Sequence, residues 1–272
     1  MIDAHFHVWK LDRGDYDWLT PALTPIYRDI GVDDWIQNAK ACGVTRGIIV
    51  QAAPTEAETT FILQQAARHP GAVLGVVGWV DFAAPDAPDR IRAIAGNPLL
   101  KGLRPMLQDI ADPDWILRSE VVPALETICD LGLTFDALIK PVHLSRIPTL
   151  AARFPRLRIV VDHAAKPDIA SGGFQDWADG VRRIAVETTA YCKLSGLLTE
   201  AGMRTDIESI RQYAEFVMSV FGPDRVLWGS DWPVLELAAA YEAWHSMATD
   251  LVPEQYRAPI FETNAIKAYA LG

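Results

Sequence analysis

Eight short apolar runs recur along the 272 residues, beginning near Ile2, Arg46, Val73, Leu99, Leu133, Arg158, Tyr191 and Val226. Each is bounded by glycine, proline or polar breakers, which predicts buried β-strands. Helical signals fill the gaps, starting near Asp33, Asp86, Ser119, Leu144, Phe174, Asp206 and Leu237. One further start, Thr55-Glu56-Ala57-Glu58, has the spacing of a capping box ahead of Phe61, Ile62 and Leu63. Strand and helix alternating eight times, 272 residues in eight units of 34, predicts an α/β fold, the parallel (β/α)8 or TIM barrel, as a single domain over 1–272. An open doubly wound sheet shares the alternation but carries a glycine-rich turn after its first strand. Here that turn reads His5-Phe6-His7. No linker-like stretch divides the chain. The first strand-to-strand gap is the longest, and its excess, residues 9–30 with Trp9, Tyr16, Trp18 and Tyr27, predicts a loop over the active-site mouth.

Composition narrows the partners. Acids outnumber bases 35 to 25, and a net charge of −10 repels a phosphate backbone, which argues against nucleic acid. The uncharged runs, such as Gly47 to Thr55, fall well short of the ~20 residues of a membrane span. The opening Met1-Ile2-Asp3-Ala4-His5 lacks a basic region and an apolar signal core, and Cys42, Cys129 and Cys192 form no Cys-x-x-Cys pair. Both features fit a cytoplasmic protein with reduced thiols. A homo-oligomer is left open.

In such a barrel the chemistry sits at the C-terminal ends of the strands. His5 and His7 end the first strand, and their i, i+2 spacing puts both imidazoles on one face. Alone the pair is a weak signal, and hydrogen-bonded polar residues near a chain start are the alternative. His163 ends the sixth strand, where a half-buried structural histidine is the alternative. Asp231 ends the eighth, where a turn residue before Trp232-Pro233 is the alternative. In a closed barrel the four converge, and three imidazoles with one carboxylate suit a single divalent ion, Zn²⁺ above all, with an open position for water. Asp231 and His163 are then the catalytic pair.

Around them, Arg104 ends the fourth strand as a binder of carboxylate or hydroxyl groups or as a rim salt bridge, and Gln51 ends the second with both a donor and an acceptor. Trp9, Trp79 and Trp232 are candidates for stacking on a sugar face, or are core. Lys140, His143, Lys193 and Ser195 lie near the same ends without further signal, whereas His69 and His245 sit in helical segments away from the mouth.

Met1-Ile2-Asp3-Ala4-His5-Phe6-His7-Val8-Trp9, Val161-Asp162-His163 and Leu227-Trp228-Gly229-Ser230-Asp231-Trp232-Pro233 resemble the amidohydrolase superfamily, in particular its "amidohydrolase 2" branch of lactonases, pyrone hydrolases and decarboxylases. Gln51-Ala52-Ala53-Pro54-Thr55, Gly75 to Asp81, Lys101-Gly102-Leu103-Arg104-Pro105 and Cys192 to Gly196 are most similar to sugar-lactone hydrolases of the L-fuconolactonase and L-rhamnono-lactonase type. The resemblance covers essentially the whole chain. It implies hydrolysis of a small sugar-acid lactone, with His5, His7, His163 and Asp231 in the positions of the family's metal ligands and the metal itself dispensable in some members. Two-metal members use a bridging residue from the fourth strand and a histidine from the fifth. Lys101 begins its strand and Leu133 to Ile139 holds no histidine, which argues against a second ion. Two other readings stand beside hydrolysis: a metal-dependent decarboxylase of an aromatic or unsaturated acid, which would release CO2, and a non-catalytic ligand-binding barrel.

Overall fold

All eight apolar runs are strands: β1 (Ile2–Phe6), β2 (Arg46–Val50), β3 (Val73–Gly78), β4 (Leu100–Leu103), β5 (Thr134–Ala137), β6 (Arg158–Val161), β7 (Tyr191–Leu194) and β8 (Val226–Trp228). The computed structural model describes residues 1–272. The helices are α1 (Val32–Ala41), α2 (Glu56–Arg68), α3 (Ala87–Ala95), α4 (Val122–Leu131), α5 (Arg146–Arg153), α6 (Gln175–Glu187), α7 (Leu197–Glu200), α8 (Ile207–Phe221), α9 (Tyr241–Leu251) and α10 (Asn264–Ala268). Neighbouring strands pair in parallel in chain order, which makes a (β/α)8 barrel of one domain. No helix is long and apolar enough to cross a membrane.

The barrel is nearly closed rather than fully laddered. β1 and β8 share no strand ladder, and the cylinder shuts just beyond β8, where Phe6 bridges Trp232. Two main-chain bonds make that join: the Asp231 N–H donates to the His5 carbonyl at 2.8 Å, and the His7 N–H to the Trp232 carbonyl at 2.8 Å. Apolar side chains fill one layer between sheet and helices and a second, smaller cluster inside the barrel. Ile2, Ala4, Ile48, Val50, Val160 and Leu227 meet in the inner cluster with Tyr269, just after α10.

Only half of the expected capping box forms at α2. The Thr55 hydroxyl accepts from the Glu58 N–H at 3.1 Å, as expected. The Glu58 carboxylate turns instead to the N–H groups of Ala52 at 2.9 Å and Ala53 at 2.7 Å, two buried donors at the β2–α2 corner. Leaving those amides bare would cost more than leaving the helix N-cap amide without a side-chain acceptor.

Candidate active site

Strict alternation would send His5 to the opposite side of β1 from Ala4, yet Ile2 and Ala4 belong to the inner cluster while His5 and His7 also face inward. A β-bulge resolves the conflict. Asp3 pairs with Gly47 and Phe6 with Ile49, three residues of β1 against two of β2. The extra residue changes the phase of the strand, which is how bulges re-aim side chains near active sites. Phe6 then stacks outward on Trp35 of α1, at 4.2 Å between rings.

Asp231 is placed by the barrel join. Gly229 lies so close to β1 that a Cβ there would come within 2.8 Å of the His5 Cβ. Asp3 ties the two strands: its carboxylate accepts from the Ser230 N–H at 2.8 Å and hydroxyl at 2.6 Å, and from the His5 N–H at 3.1 Å. Trp35 and Tyr241, each at 3.0 Å, complete its partners. His163 and Asp231 both have left-handed backbones, at φ 51° and 58°, and the left-handed run continues through Lys166. Such conformations are costly for residues with a side chain and gather at functional sites. Gly196 makes room for the His163 ring, which a Cβ at that position would meet at 2.7 Å.

The result is a cluster on the floor of a cleft of about 260 Å³. His7 Nε2 lies 3.2 Å from both His5 Nε2 and Asp231 Oδ1, and Asp231 Oδ1 is 3.6 Å from His5 Nε2 and 3.7 Å from His163 Nε2. Donors bonded to one Zn²⁺ at about 2.0–2.1 Å in a tetrahedron are about 3.3 Å apart, so these spacings fit one ion. His5, His163 and Asp231 each place a ligand atom within 4.8 Å of the others'. His7 donates its Nδ1 proton to the Val50 carbonyl at 2.7 Å, which leaves Nε2 bare as a ligand must be. His163 Nδ1 lies 2.9 Å from the Ser195 hydroxyl, which can donate or accept. Burial opposes ionisation throughout. It pushes His163 down to about 4 and His5 well below the usual range, so both rings are neutral near pH 7. Burial also works against the Asp231 charge, but the facing His163, His7 and His5 outweigh it and hold the carboxyl below its ordinary value.

A family model described as Amidohydrolase (Amidohydro_2) matches residues 2–271. The chain is 42% identical to the L-fucono-1,5-lactonase of Burkholderia ambifaria, over 99% of this chain and 95% of that protein. The chain belongs to the amidohydrolase family. A crystal structure of a Burkholderia multivorans amidohydrolase with bound zinc superposes with a TM-score of 0.93 at 30% identity, covering 100% of this chain and 99% of that one. A 5-carboxyvanillate decarboxylase from Sphingomonas paucimobilis is more distant, at a TM-score of 0.67 and 17% identity over 100% and 99% of the chains, and shares the fold.

Within the amidohydrolase barrel, the other expected site residues separate. Arg104 lines the cleft, but its guanidinium is committed to protein acceptors: Nη1 donates to Asp162 Oδ2 at 3.1 Å and Nη2 to the Gln51 carbonyl. Gln51 is fully buried and absent from the lining; its amide donates to the Arg104 carbonyl at 2.8 Å and so holds that residue in place. Trp9 and Trp232 are also fully buried, their indole N–H groups taken by the Arg28 carbonyl and by Glu236. Trp79 does not line the cleft. Its backbone is bonded in both directions to the Thr59 hydroxyl. The wall is Trp18 instead, with Met106, Leu138, Val234, Gln108 and Lys166. Lys140 is exposed, and the buried His143 accepts from the Lys140 N–H. His69 caps the end of α2 near Asp33, and His245 packs against Trp228 and Phe261.

Of three charges beneath the cluster, Asp136 and Asp162 escape the reading by strand ends, which names only Lys193 and gives it no role. Lys193 on β7, Asp136 on β5 and Asp162 after β6 are fully buried, with Lys193 Nζ 2.6 Å from Asp136 and 2.9 Å from Asp162. A charge inside an otherwise apolar strand, as in Thr134-Phe135-Asp136-Ala137 or Tyr191-Cys192-Lys193-Leu194, is a signal that a buried partner exists.

Proposed function

We propose that this amidohydrolase opens a sugar-acid lactone by attack of water on the ring carbonyl, with Asp231 as general base. One observation carries the assignment of roles: Asp231 Oδ1 sits within 3.7 Å of three imidazole Nε2 atoms on the floor of the cleft. A carboxylate held in its charged form can take a proton from water placed beside it. Without an ion, the Ser195 hydroxyl donating to Nδ1 gives His163 an Nε2–H in the cleft, where it can bond the carbonyl oxygen as it gains negative charge; with an ion held there, Nε2 is a ligand and the same hydroxyl accepts from Nδ1–H. A divalent ion held by His5, His7, His163 and Asp231, Zn²⁺ by donor type, would supply Lewis acidity and lower the pKa of bound water from about 15.7 to about 7. The substrate face pairs apolar Trp18, Leu138 and Val234 with polar Gln108 and Lys166, a surface suited to a ring with both C–H and hydroxyl edges. Residues 9–30 serve as the cover of the mouth, since Trp18 is the part of that segment lining the cleft.

The test is acid release from a panel of aldonolactones, followed with a pH indicator, with and without a chelator. Lactonase activity predicts acid without gas; CO2 from an aromatic or unsaturated acid would transfer the assignment to decarboxylation. Asp231→Asn is expected to fold and to lose at least ~10²-fold in kcat. Turnover near that of the unaltered protein would remove Asp231 from its role.

A further inference from the structure

The three histidines of the cluster differ in what fixes their protons. A carbonyl can only accept, so Val50 forces the His7 proton onto Nδ1 and bares Nε2. A hydroxyl can do either, so Ser195 leaves His163 free. An ammonium can only donate, and His5 Nδ1 faces one: Lys193 Nζ, at 3.2 Å. A neutral ring that accepts at Nδ1 carries its proton on Nε2, and a protonated nitrogen cannot ligate a metal. His5, the deepest of the candidate ligands at 0% exposed, is thereby set in the form that does not bind an ion.

Two neighbours agree with this placement. The bare His7 Nε2 needs a donor, and a proton on His5 Nε2 lies 3.2 Å away in the right direction. Lys193 uses a second proton on Asp136 Oδ2 at 2.6 Å, which anchors the ammonium at the His5 ring. Arg104 Nη1 also approaches His5 Nε2, but at 3.4 Å, the longer contact, and it has Asp162 Oδ2 at 3.1 Å as an acceptor. The other Asp162 oxygen is the telling atom. Oδ1 is buried, lies 2.9 Å from Lys193 Nζ and 3.5 Å from His5 Nδ1, and as a carboxylate oxygen has a second lone pair for the ring. It is an acceptor already in place for the opposite tautomer.

We infer that Lys193 is a positioning residue that sets the tautomer of His5, and that a metal ion gains His5 as a ligand only when Nδ1 passes from Lys193 to Asp162 Oδ1. The cluster thus has two proton arrangements with the same side chains. In one, Lys193 donates to His5, His5 to His7, and His7 to the Val50 carbonyl, a closed chain that needs no ion. In the other, the His5 proton moves to Nδ1 and is accepted by Asp162, and the Nε2 lone pairs of His5 and His7 converge with Asp231. No residue is oxidised or consumed. The exchange is a proton moved between the two nitrogens of one ring by way of solvent. Lys193 is therefore a competitor of the metal, whatever the substrate.

Two measurements test this independently of turnover. Long-range ¹H–¹⁵N spectra of histidine-labelled protein, stripped with a chelator, are expected to show His5 with a bare Nδ1 and a protonated Nε2; adding Zn²⁺ should invert the pair. The peaks are assigned with His5→Gln. A protonated Nδ1 in the stripped protein overturns the inference. The second measurement is Zn²⁺ affinity by competition with a chromogenic chelator. Lys193→Met combined with Asp136→Asn removes one charge of each sign and leaves Asp162 facing Arg104. This variant is expected to bind Zn²⁺ at least about tenfold more tightly, the scale of one charge-assisted hydrogen bond. Equal or weaker binding by the folded variant overturns the inference. Should the variant fail to fold, the spectra of the unaltered chain decide alone.

Discussion

The Glu58 carboxylate is buried, and its hydrogen-bond partners are the main-chain amides of Ala52 and Ala53. Burial pushes its pKa up to about 7, even though those amides and Arg104 pull the other way. An unfolded glutamate titrates near 4.3, so the folded state binds the proton more tightly. Its contribution to stability is therefore largest below pH ~4 and is lost as pH rises to about 7, levelling off above, for a total of about 4 kcal/mol. Glu58→Gln keeps an acceptor and abolishes the titration. Urea denaturation at pH 5, 6, 7 and 8 should show a falling difference in stability between the natural protein and the variant across that window; a flat difference would show that Glu58 does not titrate there. This residue was not legible in the chain. Thr55-x-x-Glu58 matches a capping box, and what redirected the carboxylate was a pair of amides that only the folded corner presents. The placement of Asp231 and His163 at the barrel mouth, by contrast, is legible in the sequence, because a polar side chain after an apolar strand of a barrel has few places to go.

The long β1–α1 connection brings its own core to the mouth. Trp9 and Ile30 exchange two main-chain bonds of 3.0 and 2.9 Å, which pin the base of the segment. Asp15 accepts from the Thr55 hydroxyl at 2.7 Å, and Trp18 donates to the Ala52 carbonyl at 2.8 Å, so the far side is fastened to the same corner that Glu58 holds. Trp9 lies edge-on to Trp18 at 5.5 Å and supports it from behind. The segment's extra length is readable in the sequence, but which of its aromatics lines the cleft is not. Trp9 and Trp18 have the same chemistry, and only the packing decides which is inside and which faces the cleft. Trp18→Ala removes a wall and leaves the cluster below untouched. It is expected to raise KM for the lactone roughly tenfold, an aromatic contact of ~1–1.5 kcal/mol, with a smaller change in kcat. A fall in kcat with KM unchanged would mean that the side chain acts on the chemistry instead of on binding.

Across the whole molecule, the eight strands were legible because apolar runs between breakers are a property of the chain itself, and β1, β2, β3, β6, β7 and β8 begin at the expected residues. The join between the first and last strand was not, since it depends on Asp3, an acid inside a strand with five donors around it. Asp3→Asn replaces an oxygen that accepts with an NH2 that faces other donors. It should cost about 3 kcal/mol, measured as a lower urea midpoint with unchanged slope. A cost below ~0.5 kcal/mol would mean that the join does not rely on this carboxylate.

The two amide-to-carbonyl bonds that shut the cylinder belong to His5, His7, Asp231 and Trp232. The closure of the wall and the candidate site thus share three of these four backbone positions, His5, His7 and Asp231. Any slackening of the wall there displaces the reactive groups in the same movement, and a protein of this design loses its activity before it loses its shape.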